Sequence, residues 1–185
     1  MKKWLSLSAV FLGCYIVFIV ATLPLALVVN HMQLPKNIRI EAVSGTIWQG
    51  DIAQVVIDGS PIKEVKTDLS FWSLFTLTPR LDLSFGNELL KGPEGKLSLA
   101  ISQTELTLSD AVLYIGANDI AQHLPMPLPL SAKGNVELTL SQLSINLTTQ
   151  QCTQAEGEAS WVRAGVIALE QNISLGKLAA AVQCE

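Results

Sequence analysis

Residues 134–142 read GNVELTLSQ, and residues 95–103 read GKLSLAISQ. In both stretches a glycine precedes three aliphatic residues that occupy every second position, and a Ser-Gln step follows. Such alternation places the aliphatic side chains on one face of a β-strand. After each Ser-Gln step the aliphatic row resumes one residue out of phase, which indicates a bulge or a tight turn. The two copies predict a duplicated β-hairpin.

Similar alternating rows occur at residues 38–41 and 81–85, and turn-forming residues separate the rows along the chain. This pattern predicts a mainly β domain of roughly 8 to 11 antiparallel strands. Each strand has one apolar face, so we expect a curved antiparallel β-sheet or a sandwich-like packing of that sheet. One short helix is predicted over 117–123, whereas the pattern of 175–182 fits either a helix or a strand.

The beginning of the chain is apolar. Residues 5–29 contain no charged side chain, and about 20 apolar residues are enough to cross a bilayer core. Lys2 and Lys3 precede the segment, and no lysine or arginine follows it before Lys36. This asymmetry of positive charge favours a cytoplasmic N-terminus. We therefore predict a short cytoplasmic N-terminus at 1–4, a single transmembrane helix at 5–29 and an exported β-rich domain at 30–185.

Two precursor interpretations fit this segment less well. A signal peptide has an apolar core of about 7–15 residues that ends at an A-x-A-like cleavage site. Here the run is longer and ends in LALVVNHMQ at residues 25–33. A lipoprotein would become polar after Cys14, whereas the chain stays apolar to residue 29. Cys14 is therefore interpreted as a thiol buried in the membrane.

The composition restricts the classes of partner. Charged residues make up only 15% of the chain and apolar residues 49%, against about 25% charged in an average soluble protein. All 16 acidic residues but only 10 of the 12 basic residues follow residue 30, so the exported part has a net charge of −6. This charge argues against nucleic acids and anionic lipid headgroups as ligands.

The exported part contains two cysteines, Cys152 and Cys184. In an oxidising compartment, two cysteines in one small domain are more often bonded than free, so a disulfide is predicted. A disulfide that closes the loop from Cys152 to Cys184 contributes about 3–4 kcal/mol to the free energy of unfolding, because it lowers the entropy of the unfolded chain. Two unpaired thiols are the alternative.

We find no catalytic motif of the GxSxG, HExxH, Walker A, GxGxxG or paired CxxC type. His31 and His123 have no nucleophile beside them in sequence, and two histidines do not predict a metal site. Glu156 and Glu158 share one strand face and are interpreted as a solvated pair rather than an acid and a base. The sequence therefore predicts no enzyme, no cofactor and no small-molecule substrate.

Aromatic residues are the candidate partner contacts. Trp48 and Trp161 each follow a glycine in a strand-like run, and core packing competes there with a role as a partner anchor. Phe71, Trp72 and Phe75 lie close together in the sequence SFWSLF at residues 70–75. Two interpretations are open for them, an exposed apolar patch and packing in the core. The candidate contacts are Trp48, Phe71, Trp72 and Phe75.

Residues 43–50 read VSGTIWQG and resemble the V-x-G-T-[ILV]-W-x-G signature of the type II secretion system protein N family (general secretion pathway protein N). The Leu34-Pro35 step, the word GEASW at 157–161 and the positions of the two exported cysteines are also similar to that family. The resemblance implies a bacterial inner-membrane accessory of the machine that exports folded proteins from the periplasm across the outer membrane. It implies no enzymatic role, and its implied partners are other inner-membrane components of that machine.

Members of that family run some tens of residues further, whereas this sequence ends one residue after Cys184. We therefore expect a C-terminally shortened member (a short variant, a frameshifted product or a fragment) with an unpaired edge strand.

Two functions are left open. A scaffold would dock other secretion components through a sheet edge or the aromatic residues. The alternative is an anchored periplasmic lipid-binding or lipid-transfer module with an open apolar β-groove. A scaffold should bury Trp48, Trp161 and the leucine rows against one another, whereas a lipid module should leave an aliphatic trough open.

Overall fold

The computed structural model describes residues 2–31, 34–86, 92–123, 131–168 and 171–184, and of residues 2–7, 9, 75, 123 and 168 it describes the backbone alone. Among these residues it has four helices, which are α1 (Lys2–Ala21), α2 (Leu25–His31), α3 (Phe71–Phe75) and α4 (Ala117–His123). The nine strands are β1 (Ile38–Gly45), β2 (Gln49–Ile57), β3 (Ser60–Leu69), β4 (Arg80–Phe85), β5 (Glu94–Ile101), β6 (Glu105–Gly116), β7 (Ser131–Asn146), β8 (Cys152–Ala168) and β9 (Gln171–Gln183).

The strands form one antiparallel sheet, in which every strand pairs with its neighbour in sequence from β1 to β9. The mainly β, antiparallel fold predicted from the alternation is therefore confirmed. Most contacts of each described strand are with these neighbours. The sheet is consequently one layer rather than the two facing layers of a sandwich.

The aliphatic rows of successive strands lie side by side. The register pairs Leu83 with Leu97, and Leu99 with Leu108. Directly opposed residues of antiparallel strands point to the same face, so the rows merge into one apolar surface. We call this surface the aliphatic face, and its central residues are Leu81, Leu83, Leu97, Leu99, Leu106, Leu108, Leu138, Leu140, Leu143 and Ile145.

Most of these side chains are half-buried, and only Leu140 has as little as 6% of its surface exposed. No large side chain of the described residues is completely buried. A twisted sheet that coils towards one face brings the side chains on that face together without a second layer.

The two Ser-Gln steps have different structures. Ser102 donates its backbone N–H to the carbonyl oxygen of Glu105 at 2.8 Å, which makes the first step a tight turn between β5 and β6. The second step lies inside β7, where the register with β8 shifts between Leu140 and Gln142. The predicted duplication of a hairpin is therefore wrong, because the second copy is one bulged strand.

The uncharged segment at 5–29 is divided between α1 and α2. Proline has no N–H to donate and disfavours helical backbone in the residue before it, and Pro24 lies between the two helices. The segment 5–29, predicted as a single transmembrane helix, therefore contains two helices. Within the described part of the chain, no helix is both long enough and apolar enough to cross a membrane.

The two remaining local predictions have clear outcomes. The short helix predicted over 117–123 is confirmed as α4. The ambiguous residues 175–182 are strand, because β9 pairs with β8 along most of its length.

Candidate interaction surface

The sheet meets the N-terminal helix at the turn between β1 and β2. The indole nitrogen Nε1 of Trp48 donates a hydrogen bond to the carbonyl oxygen of Val20, in the last turn of α1, at 2.9 Å. The backbone N–H of Ile47 donates to the carbonyl oxygen of Leu23 at 3.0 Å. We call residues 43–50 the joint segment, because these bonds fasten the end of α1 to the sheet.

Two glycines allow the helices to approach the joint segment. Gly45 has a φ of +83°, and a Cβ atom there would lie 2.3 Å from the carbonyl oxygen of Gln49. A Cβ atom on Gly50 would lie 2.3 Å from Cδ2 of Leu25, in the first turn of α2. A larger residue at Gly45 would force the backbone of the turn to shift, whereas at Gly50 it would displace the side chains of Leu25 and Thr67. The spacing of these glycines around Trp48 therefore has a structural reason.

The joint segment also pairs directly with the chain between the two helices. Pro24 and Thr46 form an isolated antiparallel β-bridge. The backbone N–H of Thr46 donates to the carbonyl oxygen of Gln49 at 2.9 Å, which closes the turn. Backbone hydrogen bonds thus join the turn both to itself and to the chain between the two helices.

The two tryptophans that the sequence singled out are both half-buried. Trp161 lies in β8 and donates its Nε1 hydrogen to the carbonyl oxygen of Lys133 in β7 at 2.9 Å. Trp48 instead binds a helix carbonyl. Neither indole is buried, so the burial of Trp48 and Trp161 that we expected of a scaffold is not found among the described residues.

An aromatic cluster extends from the joint segment to α3, which connects β3 to β4 at the same end of the sheet. The Phe71 ring centroid lies 5.0 Å from that of Trp48, in an edge-to-face arrangement. The Trp72 centroid lies 5.9 Å from that of Phe71. Leu74 and Leu77 follow on the same connection. We call Trp48, Phe71, Trp72, Leu74 and Leu77 the aromatic patch.

Much of the aromatic patch is exposed. Trp72 has 77% and Leu77 has 72% of its surface exposed. The structure therefore brings three of the four candidate contacts together, namely Trp48, Phe71 and Trp72. Phe75 lies in α3, and its side chain is outside the described residues. Leu77 was not among the candidate contacts predicted from the sequence. The signal that could have identified it is the absence of charged residues over 69–79, which indicates that the whole connection is apolar.

The polar groups of this connection are bonded within it. Ser73 donates its hydroxyl hydrogen to the carbonyl oxygen of Ser70 at 2.6 Å and accepts the backbone N–H of Arg80 at 2.9 Å. Thr76 donates its hydroxyl hydrogen to the carbonyl oxygen of Ser73 at 2.9 Å. These bonds shape a tight turn of helix in a segment where alternation alone predicts no helix.

Charged residues lie on the opposite, polar face of the sheet. Arg80 is 3.5 Å from Asp82 and 4.0 Å from Asp110, and all three side chains are at least half exposed. Exposed pairs of this kind stabilise a fold only slightly. Within the described residues, no group of three side chains is arranged to hold a metal ion.

One tyrosine on this face has a shifted pKa. Tyr114 lies opposite Glu137 in the β6–β7 ladder. A hydrogen bond to the Glu137 carboxylate raises the pKa of Tyr114 above its ordinary value of 10.0, and the negative charges of Glu137 and Glu94 add to the effect. A phenol that donates to a carboxylate loses this bond when it ionises.

A disulfide fastens the last two strands. Cys152, at the start of β8, is bonded to Cys184, just after β9, with their Cα atoms 5.9 Å apart. Cys14 in α1 is a free thiol. The bridge closes the hairpin at the end opposite its turn, so it limits fraying of β9.

Comparison with known proteins identifies the family. The family described as Type II secretion system (T2SS), protein N matches residues 36–185. The chain belongs to this family. The resemblance predicted from the sequence is confirmed, and the family is a component of the secretion machinery.

Several curated relatives carry the name Type II secretion system protein N. The Aeromonas hydrophila protein is 29% identical over 164 residues, which are 87% of this chain and 63% of that protein. The Vibrio cholerae protein is 25% identical over 185 residues, which are 100% of this chain and 73% of that protein. The Klebsiella pneumoniae protein is 27% identical over 146 residues, or 79% of this chain and 55% of that protein. The chain therefore spans between about half and three quarters of the relatives it matches. No solved structure matches it.

Proposed function

We propose that the chain is a non-enzymatic accessory of the type II secretion system, anchored in the bacterial inner membrane, that supports export of folded proteins across the outer membrane. Within the uncharged segment 5–29, α1 is the proposed single-pass anchor and α2 lies against β1 of the sheet. The N-terminus would be in the cytoplasm and the β-rich domain in the periplasm. The absence of charge in that segment and the two lysines before it support this topology. The large apolar side chains of α1 from Val10 to Val20 are 41% to 75% exposed, which suits a lipid environment.

The observation that carries the proposal is the joint between α1 and the sheet. Trp48 and Ile47 bind carbonyl oxygens at the end of the proposed anchor. Such a joint restricts how the sheet can rotate on the membrane. A restricted sheet suits a scaffold, because its docking surfaces keep a constant direction. Its partners would be other inner-membrane components of the machinery, with no nucleic acid and no small-molecule substrate.

Reporter fusions to the full chain test the topology. We expect alkaline phosphatase fused after residue 185 to be active and a green fluorescent protein at the same place to be dark. An active cytoplasmic reporter there would contradict the periplasmic placement.

Crosslinking in the cell tests the scaffold. A photo-activated crosslinker replaces Arg39, which is exposed on β1, a strand whose described partner is β2 alone. We expect adducts with an inner-membrane protein of the secretion system, and a crosslinker at Gln171 in the distant β8–β9 turn provides the comparison. If deletion of the gene leaves secretion of folded proteins unchanged and no such adduct forms, the scaffold proposal is wrong.

A second function is favoured by one observation, which is the uncovered aliphatic face. Among the described helices, α2 and α4 make the most contacts with strands, α2 with β1 and α4 with β6 and β7, which leaves the central strands β3 to β5 with few helix contacts. Hydrocarbon chains need no hydrogen-bond partner, so they suit a surface of leucines better than a polypeptide backbone does. We propose lipid binding along this face as the alternative.

A fluorescent acyl-chain probe tests this alternative on the purified full chain. We expect Leu99→Asp, on the aliphatic face, to weaken binding at least several-fold. Gln183→Asp adds the same charge on the polar face and should leave binding unchanged. Equal affinities of both variants and the unaltered chain would exclude the groove.

A further inference from the structure

We propose that the aromatic patch inserts into the headgroup–acyl boundary of the inner membrane on its periplasmic side. The end of the sheet formed by the joint segment and α3 would then rest on the bilayer. The proposal rests on the proposed function, because it requires α1 to be the anchor. Its occupant is the lipid surface itself, and a protein of the secretion system is the competing occupant.

The position of the patch along α1 is the first argument. A helix rises about 1.5 Å per residue, so Val20 lies about 26 Å along the axis from Lys3. A hydrocarbon core is about 30 Å thick. With Lys3 at the cytoplasmic surface, the Val20 carbonyl lies close to the periplasmic boundary. The indole of Trp48 donates to that carbonyl at 2.9 Å. The Phe71 ring lies 5.0 Å from the Trp48 ring, and the Trp72 ring lies 5.9 Å from the Phe71 ring.

Charge is the second argument. The exported part has a net charge of −6, yet residues 43–50 and 69–79 contain no charged side chain. Anionic headgroups would repel an acidic surface, so a charge-free end is the part of this domain that can approach them. The two segments lie next to each other, because Leu69 donates its backbone N–H to the carbonyl oxygen of Trp48 at 2.9 Å.

The exposed side chains are the third argument. Trp72 and Leu77, on the same connection between β3 and β4, are each more than 70% exposed. Tryptophan concentrates at the membrane–water boundary, where its ring is partly apolar and its N–H can still reach a polar partner. Leu77 on the same connection gains further free energy when its exposed side chain leaves water.

The internal hydrogen bonds of the connection are the fourth argument. Moving a hydroxyl out of water is costly unless it is already bonded. Ser73 and Thr76 both donate to backbone carbonyl oxygens within the connection. Their hydroxyls therefore need few additional partners when the patch enters the boundary.

The consequence is a fixed orientation of the sheet. The anchor supplies one attachment to the membrane, and the patch supplies a second beside it. Together they would hold the strands at a steep angle to the bilayer. The β5–β6 and β7–β8 turns lie at the same end of the sheet, whereas the β2–β3 and β8–β9 turns point into the periplasm.

Site-specific fluorescence in nanodiscs tests the proposal with the full chain. The discs contain phosphatidylethanolamine and phosphatidylglycerol, some carrying a quencher near the headgroup and others one near the bilayer centre. An NBD label is placed on Leu77→Cys in a chain with Cys14→Ser. The control label is on Gln171→Cys in the same background, at the opposite end of the sheet. Circular dichroism checks that each variant keeps its β signal.

We expect the shallow quencher to reduce NBD emission from position 77 at least threefold more than emission from position 171. Equal quenching at both positions would overturn the proposal. A third label on the native Cys14 separates this result from failure of the anchor. If the central quencher acts on Cys14 while position 77 stays unquenched, the anchor stands and the patch proposal fails. If Cys14 is not quenched either, the proposed anchor itself is wrong.

A crosslinker at Trp72 in the cell distinguishes the two occupants. Phospholipid adducts are the expected result. A discrete adduct with a secretion-system protein, formed without lipid adducts, would show that a protein occupies the patch and would also overturn the proposal.

Discussion

Trp48 and Trp161 make the same bond in two different regions of the molecule. Each indole is half-buried, and each donates to a backbone carbonyl oxygen at 2.9 Å. The acceptor for Trp161 is Lys133 in the neighbouring strand, so that bond holds two strands together. The acceptor for Trp48 is Val20 in α1, so that bond holds a helix to the sheet. The acceptor, rather than the residue type, determines what each tryptophan does.

The region around Trp48 joins a helix to the sheet, whereas the region around Trp161 joins strands to one another. The joint segment has close packing at Gly45 and Gly50, against backbone at Gly45 and against side chains at Gly50, and its neighbours are exposed aromatic side chains. The β7–β9 region has the longest strands and the disulfide. Changes in β7–β9 should therefore lower the stability of the whole sheet. Changes in the joint segment should loosen the helix while the sheet stays folded.

The largest effect is expected from removing the disulfide. Cys152→Ser with Cys184→Ser should lower the free energy of unfolding by about 3–4 kcal/mol, because the unfolded chain gains loop entropy. Denaturant unfolding of the full chain in nanodiscs measures this change. Amide exchange should accelerate most in β9, and the N–H of Ile47 in the joint segment should be unaffected. Acceleration of the joint segment before β9 would contradict the separation of the two regions.

Gly45→Ala should have the next largest effect, which is a destabilisation of the turn between β1 and β2. Its Cβ atom would lie 2.3 Å from the carbonyl oxygen of Gln49, and its φ is +83°. Gly59→Ala is a matched control, because its φ is +87° but nothing lies within 4 Å of its Cβ atom. Both variants share a backbone cost of about 1 kcal/mol. The clash at Gly45 should add about 1–3 kcal/mol.

Amide exchange at Ile47 measures this difference, because its N–H is bonded to Leu23 across the joint. The exchange rate should rise strongly in Gly45→Ala and little in Gly59→Ala. Equal rates in the two variants would mean that the turn does not control the joint.

The two tryptophans allow a smaller, paired test. Trp48→Phe and Trp161→Phe each remove one hydrogen bond, worth about 1 kcal/mol. We expect Trp161→Phe to lower the unfolding free energy of the sheet, whereas Trp48→Phe should chiefly accelerate exchange at Ile47. Denaturant unfolding and amide exchange of the same samples separate these outcomes. A reversed pattern would show that the acceptor does not decide the role.

The smallest effect concerns pH. The raised pKa of Tyr114 means that its stabilising bond to Glu137 is fully present below the unfolded pKa, near 10. The contribution is lost as the pH rises through the folded pKa. Absorbance titration of Tyr114 should show a lower pKa in Glu137→Gln, with Tyr15→Phe in both samples to remove the other tyrosine. An unchanged pKa would contradict the bond.

Alternation determined much of the sheet. The rows at 97–101 and 136–140 correctly placed the aliphatic side chains on one face, since a strand's period is fixed by its backbone. It did not determine whether a phase change is a turn or a bulge. Both steps are Ser-Gln, yet the first is a turn between β5 and β6 and the second lies within β7, so the dipeptide does not distinguish the two structures.

The candidate contacts were predictable as residue types, but their arrangement was not. Trp48 and Phe71 are 23 positions apart in the sequence, and their rings meet only because β3 returns the chain to the β1–β2 turn. The helix α3 was missed, because five residues are too few to show a helical period.

The sequence by itself determined the family, the antiparallel β architecture, the apolar face and the uncharged segment at 5–29. These features depend on local periodicity, composition and short words, which need no knowledge of distant neighbours. Only the tertiary structure decided that the sheet is a single layer, that Trp48 binds the end of α1 and that the aromatic patch lies beside it. Those features depend on strand order and on the approach of backbones far apart in sequence, and no local pattern contains that information.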